Sequence, residues 1–265
     1  MLKRMMMMAV LAVAASLFAS GAYAGFVLID DFEDYAVDSD LDGQGNWTAS
    51  YTTVVDDPFL PGNNVVRVQR GGWADRGARV DLGPLAIPAD GVGTIFFRAT
   101  RESTSRFSIG MADHPFPVSG DGSEGALNIR FRGDDGYHGS STVSYTNASM
   151  GTDEWVSYWM VVDNANDTWQ MYQLGNDVTE QTLLEGGSIS DFSFYDATTD
   201  PLTHFGGIVN QWGANPNLFY LDDIYIDNTG LNLSNPTVPP VPIPEPAGLS
   251  LLGLALLGLK RRKRS

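Results

Sequence analysis

Between residues 25 and 227 apolar side chains recur in short or alternating runs, and no long stretch keeps a 3.6-residue period. Gly, Pro, Asn and Asp break the runs apart, which is the pattern of paired strands rather than helices. It predicts strands over 26–32, 64–69, 93–101, 106–111, 126–132, 142–145, 155–163, 168–173, 204–210 and 219–226. The clearest hairpin joins Trp155-Val156-Ser157-Tyr158-Trp159-Met160-Val161-Val162-Asp163 to Thr168-Trp169-Gln170-Met171-Tyr172 through Asn164-Ala165-Asn166-Asp167. Aromatic and β-branched residues suit its arms, and the Asn and Asp of its turn tolerate left-handed backbone. Both faces of the first arm are apolar, as an inner strand covered on both sides requires.

The two ends follow different rules. Lys3 and Arg4 precede an uncharged run over 5–18, and Ala22-Tyr23-Ala24 is a small-x-small site before Gly25. Residues 1–24 therefore read as a cleaved secretory signal peptide, its apolar run short for a span of ~20 residues. Near the other end six prolines (236, 239, 240, 242, 244 and 246) impose an extended spacer. Pro244-Glu245-Pro246 is followed by an apolar run over 247–259 and the cluster Lys260-Arg261-Arg262-Lys263-Arg264. As a helix that run is roughly 20 Å long, short of a ~30 Å hydrocarbon core unless its ends snorkel. The basic cluster favours the cytoplasmic side, leaving the middle of the chain outside. The expected organisation is a signal at 1–24, a β domain at 25–228, a Pro-rich linker at 229–243 and an anchor segment at 244–265.

Pro-Glu-Pro, a short apolar helix and a terminal basic cluster, in that order, resemble the PEP-CTERM sorting signal of Gram-negative bacteria. The resemblance implies that an exosortase-type membrane protease reads Pro244, Glu245 and Pro246 and removes the tail, the helix holding the chain in the membrane until then. It also implies a place in the cell envelope, at the cell surface or in the extracellular matrix, where such cargo is commonly linked to exopolysaccharide or biofilm.

Charge narrows the partners. Seven of the 16 basic residues sit in the two ends, and the nine arginines left against 31 carboxylates put residues 25–236 at −22. Such a surface repels phosphate backbones, which excludes nucleic acid, and it suits divalent cations or plain solubility. The chain has no cysteine, so disulfides, zinc–thiolate sites and cysteine nucleophiles are excluded together. The core alone must hold the domain, and a chain of this size buries roughly 70% of its unfolded surface.

Asp31-Phe32-Glu33 in the first strand, Leu41-Asp42-Gly43-Gln44-Gly45-Asn46-Trp47, the hairpin above and the closing Tyr220-Leu221-Asp222-Asp223-Ile224-Tyr225-Ile226 resemble the concanavalin A-like, laminin-G-like jelly-roll superfamily. The fold implied is all-β, two antiparallel sheets packed face to face. First and last strands are commonly neighbours in that fold, so Asp31 or Glu33 would approach Asp222 or Asp223. Converging carboxylates call for a hard cation, and the resemblance implies a structural calcium there. Asp38-Ser39-Asp40-Leu41-Asp42-Gly43 opens like a calcium loop, but its twelfth position is Ala49 rather than Glu, and it reads better as a solvated turn.

A ligand face is expected at Arg130 and Arg132, joined by Tyr137 and His138 in the Gly/Asp-rich loop that follows. Arginine forks suit carboxylates, and exposed aromatic rings suit sugar faces, so the set fits an acidic polysaccharide. The plainer alternative is that these arginines pair with abundant acids. Sandwich glucanases resembling this fold carry E-x-D-x-x-E, and none of Glu33, Glu102, Glu124, Glu154, Glu180 or Glu185 stands in that spacing. Related lyases use Arg, His and Tyr, with no further motif for them here. The expectation is a non-catalytic module associated with extracellular polysaccharide. A polysaccharide hydrolase or lyase on the same scaffold, and a purely structural surface protein, are the alternatives.

Overall fold

The computed structural model describes residues 25–69, 75–101, 107–116, 118–120, 127–132, 135–138, 144–146, 154–175, 180–188, 200–209 and 218–236. The expected signal peptide and sorting segment lie outside these residues. The first strands are β1 (Val27–Asp30), β2 (Trp47–Ala49), β3 (Thr52–Asp56), β4 (Asn64–Gln69), β5 (Asp75–Asp81), β6 (Val92–Arg101), β7 (Phe107–Ala112) and β8 (Ser119–Gly120). They are followed by β9 (Leu127–Arg132), β10 (Asp135–His138), β11 (Ser144–Thr146), β12 (Val156–Asp163), β13 (Thr168–Leu174), β14 (Thr182–Ser188), β15 (His204–Val209) and β16 (Leu218–Asp227).

The strands form two antiparallel sheets. The first runs β14-β13-β12-β6-β16-β4-β3, with β1 also on β16; the second runs β11-β10-β9-β7-β15-β5-β2, with β8 on β5. Neighbours near the middle of each sheet, such as β6 and β16 or β7 and β15, are distant in sequence, and the result is the expected all-β jelly-roll sandwich. First and last strands do pair, Val27 opposite Ile226 and Asp30 opposite Ile224.

Alternation along each strand decides what fills the middle. Ile95, Phe97 and Ala99 of β6, Tyr158, Met160 and Val162 of β12, and Phe219, Leu221, Ile224 and Ile226 of β16 belong to one core with Phe107, Ile109, Met111 and Phe205 of the second sheet. Rings meet across the layers: Phe97 and Phe205 lie 5.6 Å apart, and Phe107 stacks on Phe219 at 4.5 Å. Each fully buried side chain of this size contributes about 1.5–3 kcal/mol relative to exposure.

The first sheet is covered on its outer face too. Phe96 packs edge-on against Trp159 at 5.0 Å and against Tyr225 at 6.0 Å, which explains why both faces of the Trp155 arm read as apolar. The cover is the segment after β16. Thr94 Oγ1 donates to the Gly230 carbonyl at 2.9 Å, Trp159 Nε1 to the Ser234 carbonyl at 2.8 Å, and Gln181 Nε2 to the Leu233 carbonyl at 2.6 Å. The compact unit accordingly extends to Ser234, and a second unit begins at Asn235.

Most of the expected strands form, β4 over the same residues. Two features differ. The first strand stops at Asp30, so Asp31, Phe32 and Glu33 lie in the turn beyond it, with Phe32 at φ 59°. Tyr137 and His138, expected in a loop, are in β10. Strands β2, β3, β5, β8, β10 and β14 escape the sequence pattern. β5 carries mostly small or charged residues, and its neighbour β15 in the same sheet leaves no room for a side chain beside it: a Cβ on Gly206 would overlap the Ala78 carbonyl oxygen and sit 2.7 Å from Arg79 Cα.

Candidate functional site

The carboxylates expected to hold a cation gather at one corner of the first sheet, around the 57–64 loop. Each already has a partner. Glu33 Oε1 accepts the Asn64 amide at 3.0 Å, and Asp31 Oδ1 accepts the Glu33 amide at 3.4 Å. A register shift in β16 between Asp222 and Tyr225, with Asp223 at φ 50°, breaks strict alternation and brings Asp222 and Asp223 to the same guanidinium. Arg98 Nη1 lies 3.0 Å from Asp223 Oδ2 and 4.0 Å from Asp222 Oδ2. Its guanidinium also sits 5.0 Å above the Trp155 ring, a cation–π contact that fixes it over the corner.

Behind this pair is a buried relay. Asn63 Nδ2 donates to Asp222 Oδ2 at 3.0 Å and to Asp57 Oδ2 at 3.2 Å, and Trp155 Nε1 donates to the same Asp57 oxygen at 2.9 Å. Asp222 is 1% exposed, and among the described residues its Oδ1 has no hydrogen-bond partner. Burial first, and the Asp223 charge second, push its pKa up to about 8; Asn63, the Asp223 amide and Arg98 oppose the rise. Burial also raises the Tyr225 phenol, and the charges of Asp223, Asp31 and Asp222 act on it in the same direction. Among the described residues no three carboxylate or imidazole groups are placed to share a metal ion. At this corner the Arg98 guanidinium supplies positive charge beside Asp222 and Asp223.

The carboxylate of the Asp30-Asp31-Phe32-Glu33 stretch that bonds Trp47 and Tyr35 is Asp30. Its Oδ2 accepts Trp47 Nε1 at 2.7 Å and the Tyr35 hydroxyl at 2.8 Å, and its Oδ1 accepts the Phe32 amide at 2.9 Å. The left-handed Phe32 ends the alternation and turns its own ring into the core. Asp38 to Gly43 forms the expected turn: Asp40 Oδ1 accepts the Asp42 amide at 3.1 Å and Asp42 Oδ1 accepts the Ala49 amide at 2.9 Å.

The four expected ligand residues lie on adjacent strands of the second sheet. β9 and β10 pair with Tyr137 opposite Arg130, Asp135 opposite Arg132 and His138 opposite Ile129. On its other side β9 pairs β7, with Arg130 opposite Ser108 and Asn128 opposite Gly110. The next strand begins at His204, whose Nδ1 lies 2.8 Å from Thr203 Oγ1; that hydroxyl donates to the Asp113 carbonyl at 2.9 Å, so the imidazole Nδ1 is the donor. Burial lowers the His204 pKa, assisted by Arg79 and His114 and opposed by Asp81. Arg79 itself donates to the Phe116 carbonyl.

Comparison with known proteins bears on both ends of this picture. Residues 242–265 match the PEP-CTERM protein-sorting motif. The chain carries a PEP-CTERM sorting signal. That signal implies processing by an exosortase and export to the surface or beyond it, in line with Pro244, Glu245 and Pro246 and the basic tail. The PEP-CTERM chain has no match among curated proteins. Its sandwich is similar to the GH131 β-glucanase catalytic domain of Podospora anserina at 13% identity and a TM-score of 0.50, covering 79% of this chain and 98% of that one. It is also similar to peanut lectin at 10% identity and a TM-score of 0.47, over 71% of this chain and 94% of the lectin. At 13% identity the likeness to the glucanase domain shows the fold alone and leaves function to the site.

Proposed function

We propose that this is a cell-surface or matrix protein whose jelly roll associates with acidic extracellular polysaccharide without cutting it. The observation that carries the reading is a PEP-CTERM signal joined to a sandwich whose second sheet sets Tyr137 opposite Arg130 on neighbouring strands. Guanidinium forks recognise carboxylates in a planar, bidentate way, and an aromatic ring offers a flat apolar face to a sugar. The charge of −22 over residues 25–236 opposes a polyanion at long range. Contact is therefore local and needs ionic strength that screens beyond about 8 Å, as physiological salt does. The non-catalytic part of the reading is supported by Asp222. Its pKa of about 8 would suit a general acid, yet it is 1% exposed and bound to Asn63 beneath Arg98.

Affinity electrophoresis of the exported chain through gels containing uronate-bearing or neutral polysaccharides tests this. Retardation by the uronate polymers, reduced at least tenfold by Arg130→Ala with Tyr137→Ala, is expected. Equal mobility in every gel refutes glycan contact, and release of reducing sugar from a retarding polymer transfers the protein to the hydrolases.

A further inference from the structure

The seven residues after β16 run across the strands rather than along them. From Asp227 the segment passes over β6, where Thr94 Oγ1 donates to the Gly230 carbonyl at 2.9 Å and accepts the Asn232 amide at 3.0 Å. It then reaches β12, where Trp159 Nε1 meets the Ser234 carbonyl, and the approach to β14, where Gln181 meets the Leu233 carbonyl. Asp227 pins its start, accepting Thr229 N at 3.0 Å, Thr229 Oγ1 at 2.6 Å and Asn232 Nδ2 at 2.9 Å. None of residues 228–234 is buried, and Leu231 is 59% exposed. Polar bonds hold the strap down, with little apolar burial behind them. Beneath it Trp159 and Phe96 are 0% exposed, and beside it opens a cleft of about 1000 Å³ between Thr229–Leu231 and the Gln170, Leu183 and Leu184 side of β13 and β14.

We propose that residues 228–234 are a tension-release strap: a pull arriving through the spacer peels them from the sheet before any strand of the sandwich yields. The inference builds on the reading of the chain as a surface protein held through its C-terminal side. A segment lying crosswise is loaded one bond at a time from Ser234 backward. β16, by contrast, lies between β6 on one side and β4 and β1 on the other, so a pull along it loads both ladders together. Segments with little buried apolar area also open at the lowest free energies. Peeling bares the Trp159 indole and removes one wall of the cleft, so tension on the tail becomes a change of surface on the domain.

The absence of native cysteine allows unambiguous handles. Full-length chain carrying Thr48→Cys on β2 and Val241→Cys in the spacer is stretched in optical tweezers. Seven freed residues add about 25 Å of contour, less about 10 Å for the two strand spacings already crossed, so a first step of about 15 Å is expected before the main event. Thr94→Val removes both Thr94 bonds and should abolish the step, while Asn232→Ala, at a partly exposed site that leaves the core untouched, should lower its force by half or more. The main unfolding force should stay the same in both. A single unfolding event in the parent, or a short step indifferent to both substitutions, overturns the strap. Either result is independent of where the protein resides in the cell, and the surface-anchoring reading is tested separately by fractionation.

Discussion

Replacing Asp222 by asparagine should stabilise the protein at neutral pH and remove most of one pH dependence. Burial and the neighbouring Asp223 raise the Asp222 pKa from 3.8 to about 8. In the unfolded chain it ionises near its ordinary value. Between those two values the folded state holds a proton that the unfolded state has released, so stability falls as pH rises through this window and levels off above about pH 8. One proton over the three pH units from 4 to 7 corresponds to about 4 kcal/mol, at about 1.36 kcal/mol per unit, and this is the ceiling on the effect at pH 7. In Asp222→Asn the side chain cannot ionise, and its carbonyl still accepts from Asn63 Nδ2, now 3.0 Å from Asp222 Oδ2. The relay to Asp57 and Trp155 is therefore preserved, and the variant should approach that ceiling at pH 7. Urea unfolding of both proteins from pH 4 to 9 reads the difference directly. It should grow from near zero at pH 4, favour the variant throughout, and become constant above pH 8. A difference that stays constant with pH, or one that favours the parent increasingly toward pH 8, refutes a buried and proton-holding Asp222.

Two further outcomes follow from the same geometry. Gly206→Ala drives a Cβ into the Ala78 carbonyl and to 2.9 Å from the Phe116 ring, so it should cost about 3 kcal/mol or leave the protein unfolded, by urea denaturation and near-ultraviolet circular dichroism. Because Arg98 serves the Asp222–Asp223 corner, millimolar calcium or its chelation should leave the melting temperature within about 1 °C. A calcium-dependent rise of several degrees, lost in Asp222→Asn, would support the cation expected there.

Strand alternation was legible wherever large side chains mark both the core and its boundary. The run over 64–69 and the hairpin of Trp155 to Tyr172 are examples, and the pairing of first and last strands followed from the resemblance they carry. It failed on strands with few apolar residues. Asp75–Asp81 pairs with the glycine-bearing β15, and its sequence DRGARVD leaves no alternating apolar signature. The site was harder to read, because two left-handed residues reset the alternation on which facing was judged. Phe32 ends β1 early, leaving Asp30 to bond Trp47 and Asp31 in the turn; Asp223 sits in a shifted register, so Asp222 and Asp223 share Arg98. The bonds that define the corner join residues 98 to 159 positions apart, Asp57 to Trp155 and Asn63 to Asp222. No local spacing rule reaches that far. The cover over Trp159 escaped notice for another reason: residues 228–234 have the polar composition of a linker, and only their hydrogen bonds to the sheet reveal them as part of the domain.

Everything said of the protein's role presupposes that its C-terminal signal is read and that the sandwich ends up outside. Protease shaving of intact cells, with immunoblotting for the sandwich, measures this for the parent and for a chain with Glu245→Ala and the 260–264 basic cluster replaced by serine. The parent should be processed and accessible, whereas the variant should remain unprocessed in the membrane fraction. Identical processing and accessibility of the two chains would contradict the account.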